Sequence, residues 1–334
     1  MPQPMTQEWL DEVVEDVVDP EQRIVDPHHH LWPVGSGLPY GLAELTADAT
    51  SGHAVKGTVF VECHAAYRNE GPAHLAPTGE TEFVAAVAAD DPNRLIAGIV
   101  AHADLTNGVH LEDVLDAHNE LGRGLFRGIR HAGMHEPHPE GFMIPVSAPA
   151  GLYADPAFRA GVARLGTRGL TYDTWHHHHQ NLDFAALARA VPGTQMVLDH
   201  FGTPVGVGVY AGREEEIFEA WRVSIAEIAK CENVVAKLGG LAMPDNGFGW
   251  HQTDRPPTSD EFVACQQRYY LHTIECFGPE RCMFESNFPV DRLSLSYRVL
   301  WNGLKKITSE YSAAERDALF AGTAERVYRL DISS

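Results

Sequence analysis

Apolar residues recur along this chain in two rhythms. From Arg23 onward, short runs rich in Val, Ile and Leu alternate with longer stretches whose apolar positions fall at helical spacing. These are the patterns of buried strands and of amphipathic helices. Strands are predicted at residues 23–26, 57–62, 95–101, 124–131, 169–174, 195–200, 233–238 and 281–287. Helices are predicted between them at 81–89, 111–121, 156–165, 184–190, 214–231, 259–277 and 294–307, and 311–328 reads as a terminal helix pair. Eight strands separated by helices over about 265 residues have the size of a (β/α)8 barrel, the TIM-barrel fold predicted for residues 23–334. A doubly wound sheet is the runner-up. Its phosphate loop is missing, because Gly206-Val207-Gly208 lacks a third glycine in place and no Walker motif occurs.

Residues 1–22 follow another pattern. Trp9, Leu10, Val13, Val14, Val17 and Val18 recur at helical spacing with acids between them. An acidic amphipathic helical extension is predicted, docked on its own barrel or contacting a partner. Two long stretches between strands, 131–169 and 238–281, are rich in Gly, Pro, His and aromatics near their starts. Loops that follow barrel strands lie over the active-site mouth, so these are candidate lids, 243–257 in particular.

Charge narrows the function classes. Of 334 residues, 46 are Asp or Glu and 25 are Lys or Arg, a formal charge of −21. That balance argues against nucleic acid and against an anionic membrane surface, both of which need clustered Lys and Arg. Seven of the acids (Glu8, Asp11, Glu12, Glu15, Asp16, Asp19, Glu21) sit in the first 22 residues, which carry no Lys or Arg, unlike a signal peptide. No run approaches the roughly 18 apolar residues of a membrane span. The five cysteines form no CxxC pair and read as reduced thiols of a cytoplasmic protein.

The 19 histidines point to metal. Asp26-Pro27-His28-His29-His30-Leu31-Trp32 ends the first strand. Alternation puts His28 and His30 on one face and His29 on the other, and two imidazoles at a strand end make a metal platform. Glu62 closes the second strand, where a buried carboxylate needs a cation, either a metal or a rim arginine. His200 ends the sixth strand on the face of Met196 and Leu198. Among His176, His177, His178 and His179, at most two face one site, and parity favours His176. Glu285 and Asn287 share a face at the end of the last strand. Arg130 and Lys237 each have the charge to hold a substrate carboxylate or a buried acid, and Trp32 and Tyr172 are expected as further substrate contacts. No GxSxG and no HExxH occur, so a serine triad and a zinc protease of that type are poor fits.

Taken in order, the first-strand motif resembles the amidohydrolase superfamily when read with four others: Gly128-Ile129-Arg130-His131, Val197-Leu198-Asp199-His200-Phe201-Gly202, Val235-Ala236-Lys237-Leu238-Gly239-Gly240 and Met283-Phe284-Glu285-Ser286-Asn287-Phe288-Pro289. The likeness is to the amidohydrolase-2 group of lactonases and decarboxylases and spans roughly 23–330. It implies a distorted (β/α)8 barrel with a metal held by the first-strand pair and by later histidines, onto which His200 and His178 map. Hydrolytic members end the eighth strand with an aspartate that binds metal and takes the proton of the attacking water. Here that residue is Asn287, an amide and no base near neutral pH. Either Glu285 takes over or the chain is not a hydrolase.

Three readings follow. The first is a metal-dependent hydrolase or lactonase acting on a small carboxylated molecule. Its metal set is drawn from His28, His30, Glu62, His178, His200 and Asn287, with Glu285 or His178 as general base. The second is a non-haem dinuclear Fe or Mn oxygenase on the same barrel, with a second subunit. The third is a non-catalytic barrel subunit. The metal is Zn in the first reading and Fe or Mn in the second. A homo-oligomer, or pairing with a related subunit through the N-terminal helix, is expected.

Overall fold

The protein is described here by a computed structural model covering residues 3–35, 38–144 and 148–332. Eight parallel strands follow chain order around one sheet: β1 (Arg23–His29), β2 (Ala54–Val61), β3 (Ile96–Ala101), β4 (Phe126–Arg130), β5 (Thr171–Thr174), β6 (Met196–Leu198), β7 (Val234–Leu238) and β8 (Cys282–Phe284). A short α1 (Gln7–Leu10) precedes them. The outer ring comprises α2 (Leu42–Ala49), α3 (Thr78–Asp90), α4 (Leu111–Leu121), α5 (Pro156–Thr167), α6 (Asn181–Ala190), α7 (Glu214–Ala229), α8 (Ser259–Phe277) and α9 (Tyr297–Ile307). The sequence pattern thus located every strand. It missed α2, a short helix of eight residues made mostly of small and polar side chains.

The sheet closes at its mouth. Beyond β8, Phe288 bridges His29, and the Asn287 amide donates to the His28 carbonyl at 3.0 Å. Closure therefore sets the first-strand histidines beside Asn287.

Two apolar layers follow from strand alternation. Ile24, Phe60, Ile129, Tyr172, Met196, Leu198 and Phe284 face the helices. Val25, Val59, Val61, Val100, Val197, Val235 and Met283 face the barrel axis. Below them Ala321, Ala324, Val327 and Tyr328 plug the floor, carried on Ala318–Gly322 and on α11 (Thr323–Tyr328), which follow α10 (Ala313–Asp317).

The N-terminal segment is not the predicted helix. Only Gln7–Leu10 is helical, capped by Thr6. Four β-branched valines and a run of acids with no neighbouring base oppose a helix there. The backbone and side chains bond to the barrel instead. Glu15 accepts from the Ser259 amide at 2.7 Å and from Asn302 at 3.0 Å, and Asn302 Oδ1 accepts from the Val18 amide at 2.8 Å. Trp9 is fully buried and donates to the Thr253 carbonyl at 3.1 Å. The segment is a strap across α8 and α9 of its own chain.

Candidate metal centre and active-site cavity

A register shift between Asp26 and His29 adds one residue to β1 opposite Thr58 and Phe60. That bulge reverses the alternation. Asp26 faces outward, where Tyr297 donates to it at 3.1 Å and the Ser286 amide at 2.9 Å. His28 and His30 turn inward, with ring centroids 4.9 Å apart, and His29 turns out to Thr58 at 3.0 Å. His200 arrives differently. Its strand partners Met196 and Leu198 face the helices, but β6 ends at Leu198 and His200 adopts a left-handed φ of 52°. This brings its ring within 4.5 Å of His28.

Hydrogen bonds fix the tautomers of His30 and His200. His30 Nδ1 lies 2.8 Å from the Val61 carbonyl, which can only accept, so Nε2 keeps its lone pair. His200 Nδ1 lies 2.6 Å from Glu285 Oε1, and His28 Nδ1 lies 2.8 Å from Glu285 Oε2. Lys237 Nζ donates toward the same His28 Nδ1 at 3.4 Å, and the approach of Glu285 Oε2 is an ion-pair contact without hydrogen-bond geometry. The remaining His28 Nε2 faces Arg130 Nη1 at 3.4 Å. One carboxylate beneath two imidazoles is the arrangement that orients metal-binding histidines. Burial drives the basicity of all three rings down, that of His200 to about 3, so they are neutral ligands at pH 7.

The surrounding charge also fits a cation. Asp173, Asp199, Glu62 and Glu285 outnumber Arg130 and Lys237 two to one, and all six are buried. Lys237 Nζ pairs with Asp173 at 3.1 Å and with Asp199 at 3.2 Å, while Tyr328 donates to Asp173. Arg130 Nε donates to Glu62 Oε1 at 2.8 Å. Both Asp199 oxygens and Glu285 Oε2 are buried with no hydrogen bond. Burial pushes the Glu285 carboxyl up to about 8, so a neighbouring cation is what would hold it ionised. One ligand atom each from His28, His200 and Glu285 lies within 4.8 Å of the others.

Above this group opens a cavity of about 530 Å³. Its polar wall is His30, Glu62, His64, Arg130, His200 and Asn287. Its apolar wall is Trp32, Ala132, Met134, Ile144, Ala148, Trp175, Met243 and Val290, with Cys63 beside Glu62. Met134, Ile144 and Ala148 come from the first predicted lid stretch and Met243 from the second. A hollow of about 590 Å³ between the N-terminal strap, α2 and α9 is larger but holds none of these groups.

Residues 25–330 match the profile of the family described as Amidohydrolase, the amidohydrolase-2 group. The chain belongs to that family. It is 28% identical over 320 residues to an L-fucono-1,5-lactonase of Burkholderia multivorans, covering 92% of this chain and 96% of that one. It is 32% identical over 320 residues to the uncharacterized protein y4mH of Sinorhizobium fredii, covering 92% and 98%. An amidohydrolase of Burkholderia multivorans solved with bound zinc superposes with a TM-score of 0.71 at 25% identity, covering 92% and 99%. Among the described residues, no helix is long and apolar enough to cross a membrane.

The predicted site residues divide by place. His28, His30, His200, Glu62, Arg130, Glu285, Asn287 and Trp32 gather at the mouth. Glu285 lies below the cavity wall with no exposure, out of reach of a substrate, which corrects its expected role as general base. Asn287 lines the cavity and donates to Asp291 at 2.9 Å. Lys237 is sealed under the histidines, so it is not the expected substrate contact. Tyr172 points outward on β5 and donates to the His131 carbonyl at 3.0 Å, away from the cavity. His178 packs on Tyr210 with its Nδ1 accepting from the Val205 amide at 3.4 Å, and joins neither the metal group nor the cavity. The parity choice, His176, is buried between Tyr153 at 2.8 Å and Asn181 at 2.9 Å. Sequence reasoning missed Asp173, Asp199 and Trp175. The first two lie on inward-facing positions with Thr171 and Val197, a signal visible once Lys237 is placed opposite them.

Proposed function

We propose that this chain is a metal-dependent hydrolase that opens small lactones. The observation that carries the reading is the trio His28, His30 and His200 turned onto one spot, with Nδ1 of His30 held on Val61 and Nδ1 of His200 on Glu285, so that both keep a lone pair on Nε2. These residues, with Glu285 behind or among them, would hold a divalent metal. When bound, such a metal polarises a carbonyl and lowers the pKa of bound water.

The chain's own groups do the rest. Glu285 keeps the imidazoles in one tautomer and orientation. Arg130, fixed by Glu62, holds its guanidinium beside His28, where negative charge on a carbonyl oxygen would develop. Trp32 and Trp175 offer flat faces for a ring, and Met134 and Met243 exclude water. Arg130 is the only permanent cation on the wall among the described residues, and it is already paired. A neutral ring therefore suits the cavity better than a substrate carboxylate does. The lactonase relative supports this class.

The test is hydrolysis of a panel of neutral aldonolactones by zinc-loaded protein, followed by proton release. Turnover that disappears in His30→Ala and His200→Ala supports the reading. Turnover equal to the uncatalysed rate across the panel refutes it.

A further inference from the structure

Beside the cavity stands a second group of ligand atoms that the three-histidine centre does not use. Glu62, His64 and His102 each bring one ligand atom within 4.8 Å of the other two. Glu62 gives Oε1 to Arg130 but leaves Oε2 buried without a hydrogen bond. His64 Nε2 stands 3.4 Å from that same oxygen. This is about one edge of a tetrahedron whose metal–ligand bonds are roughly 2.0–2.1 Å. His102 Nδ1 lies 3.0 Å from the Arg130 carbonyl, which can only accept, so the lone pair of this ring is on Nε2. Tyr67 packs its ring 4.8 Å from His64, and its hydroxyl is likewise buried without a partner. Two imidazoles and one carboxylate oxygen therefore surround one spot, with the Tyr67 ring packed beside them.

We infer that Glu62, His64 and His102 form a second, mononuclear site for a divalent transition ion of zinc's class, with Tyr67 beside it. Two nitrogen donors and one oxygen suit zinc and its neighbours rather than magnesium or calcium. The exposed His64 opens the site to solvent.

It is separate from the first centre, and this sets it apart from a dinuclear arrangement. A bridged pair of metals shares a carboxylate. Here the Arg130 guanidinium lies between, with Nε on Glu62 and Nη1 on His28 Nε2 at 3.4 Å, and its charge opposes any such bridge. Glu62 and His64 also line the cavity, so an ion held here would face a bound substrate.

The test counts metal and does not depend on the hydrolase reading. Protein stripped with chelator is dialysed against Zn2+ and the bound ion is counted per chain. His102→Ala and His64→Gln should each lose one ion relative to the unmodified chain, or weaken that ion at least about tenfold. The loss should add to that of His200→Ala. His64 is exposed, so His64→Gln guards against a folding artefact in His102→Ala. If both variants keep the zinc count and affinity of the unmodified chain, the site does not exist. If no lactone is turned over but the two variants still lose an ion, the site stands and only the proposed reaction falls.

Discussion

Lys237 Nζ and Asp173 Oδ2 stand 3.1 Å apart beneath the histidines, and neither side chain has any exposure. The same ammonium serves Asp199, which Arg130 Nη1 also approaches at 3.7 Å, so it stands between two sealed carboxylates. Asp199 shows the cost of this arrangement, since burial pushes its carboxyl up to about 6 despite Lys237. Lys237→Met should leave two buried acids facing each other. A loss of about 3–5 kcal/mol is expected, read from urea unfolding at pH 7. A loss under about 1 kcal/mol would mean that the floor is not held by charge pairing.

Glu285 accepts from His200 Nδ1 and stands 2.8 Å from His28 Nδ1. In Glu285→Gln, one oxygen becomes a donor, and one ring must flip its tautomer or lose its partner. Zinc affinity should drop about 10–100-fold in chelator competition, with little change in secondary structure. Unaltered affinity would remove Glu285 from the centre.

Two glycines end β7 because backbone passes directly under this acid and its histidine. A Cβ on Gly239 would lie 2.4 Å from Glu285 Cγ. One on Gly240 would lie 2.3 Å from His200 Nδ1, at a φ of +72° that costs a side chain about 1–2 kcal/mol. Gly240→Ala is therefore expected to displace His200 and reduce zinc affinity more than tenfold, while Gly193→Ala, with open space around it, should leave affinity unchanged. Equal affinities in the two variants would contradict the close approach.

Three histidines outside the centre each weaken the fold in acid. Burial lowers His29 to about 3, His118 to about 4 and His176 to about 3, each from an ordinary 6.5. The folded state thus excludes protons that the unfolded chain takes up below pH 6.5. Their contribution is fully present above that pH and is lost as pH falls toward 3–4. Between pH 6 and 5 each ring should contribute a slope of about 1 kcal/mol per pH unit, so His118→Gln should flatten the profile by about that much. Urea midpoints of the variant and the unmodified chain across that interval check the difference, and identical slopes would show that this ring protonates without cost.

The fold was legible because each strand is a compact apolar run between amphipathic stretches, and nothing in tertiary packing overrides that. The site was legible where a side chain obeys alternation, as Arg130, Lys237 and Glu285 do. It was half legible at His28 and His30, where the pairing is right but depends on a bulge that no residue count reveals. His200 reaches the centre only because its backbone leaves the strand with positive φ, so shared parity with Leu198 was the wrong reason. Tyr172 and His178 misled for the opposite cause. One points outward from its strand, and the other sits past the strand end, where alternation has no meaning. The N-terminal stripe of valines had helical spacing but lacked helix-forming residues, and the barrel's own polar groups took up its backbone.

The hydroxyl of Tyr328 reaches Asp173 across 155 residues of sequence. A ribosome makes Asp173, Asp199 and Lys237 long before the residue that seals them. The floor beneath these charges therefore cannot close until the helix Thr323–Tyr328 has been made, so a chain cut before it would leave Asp173 without that partner.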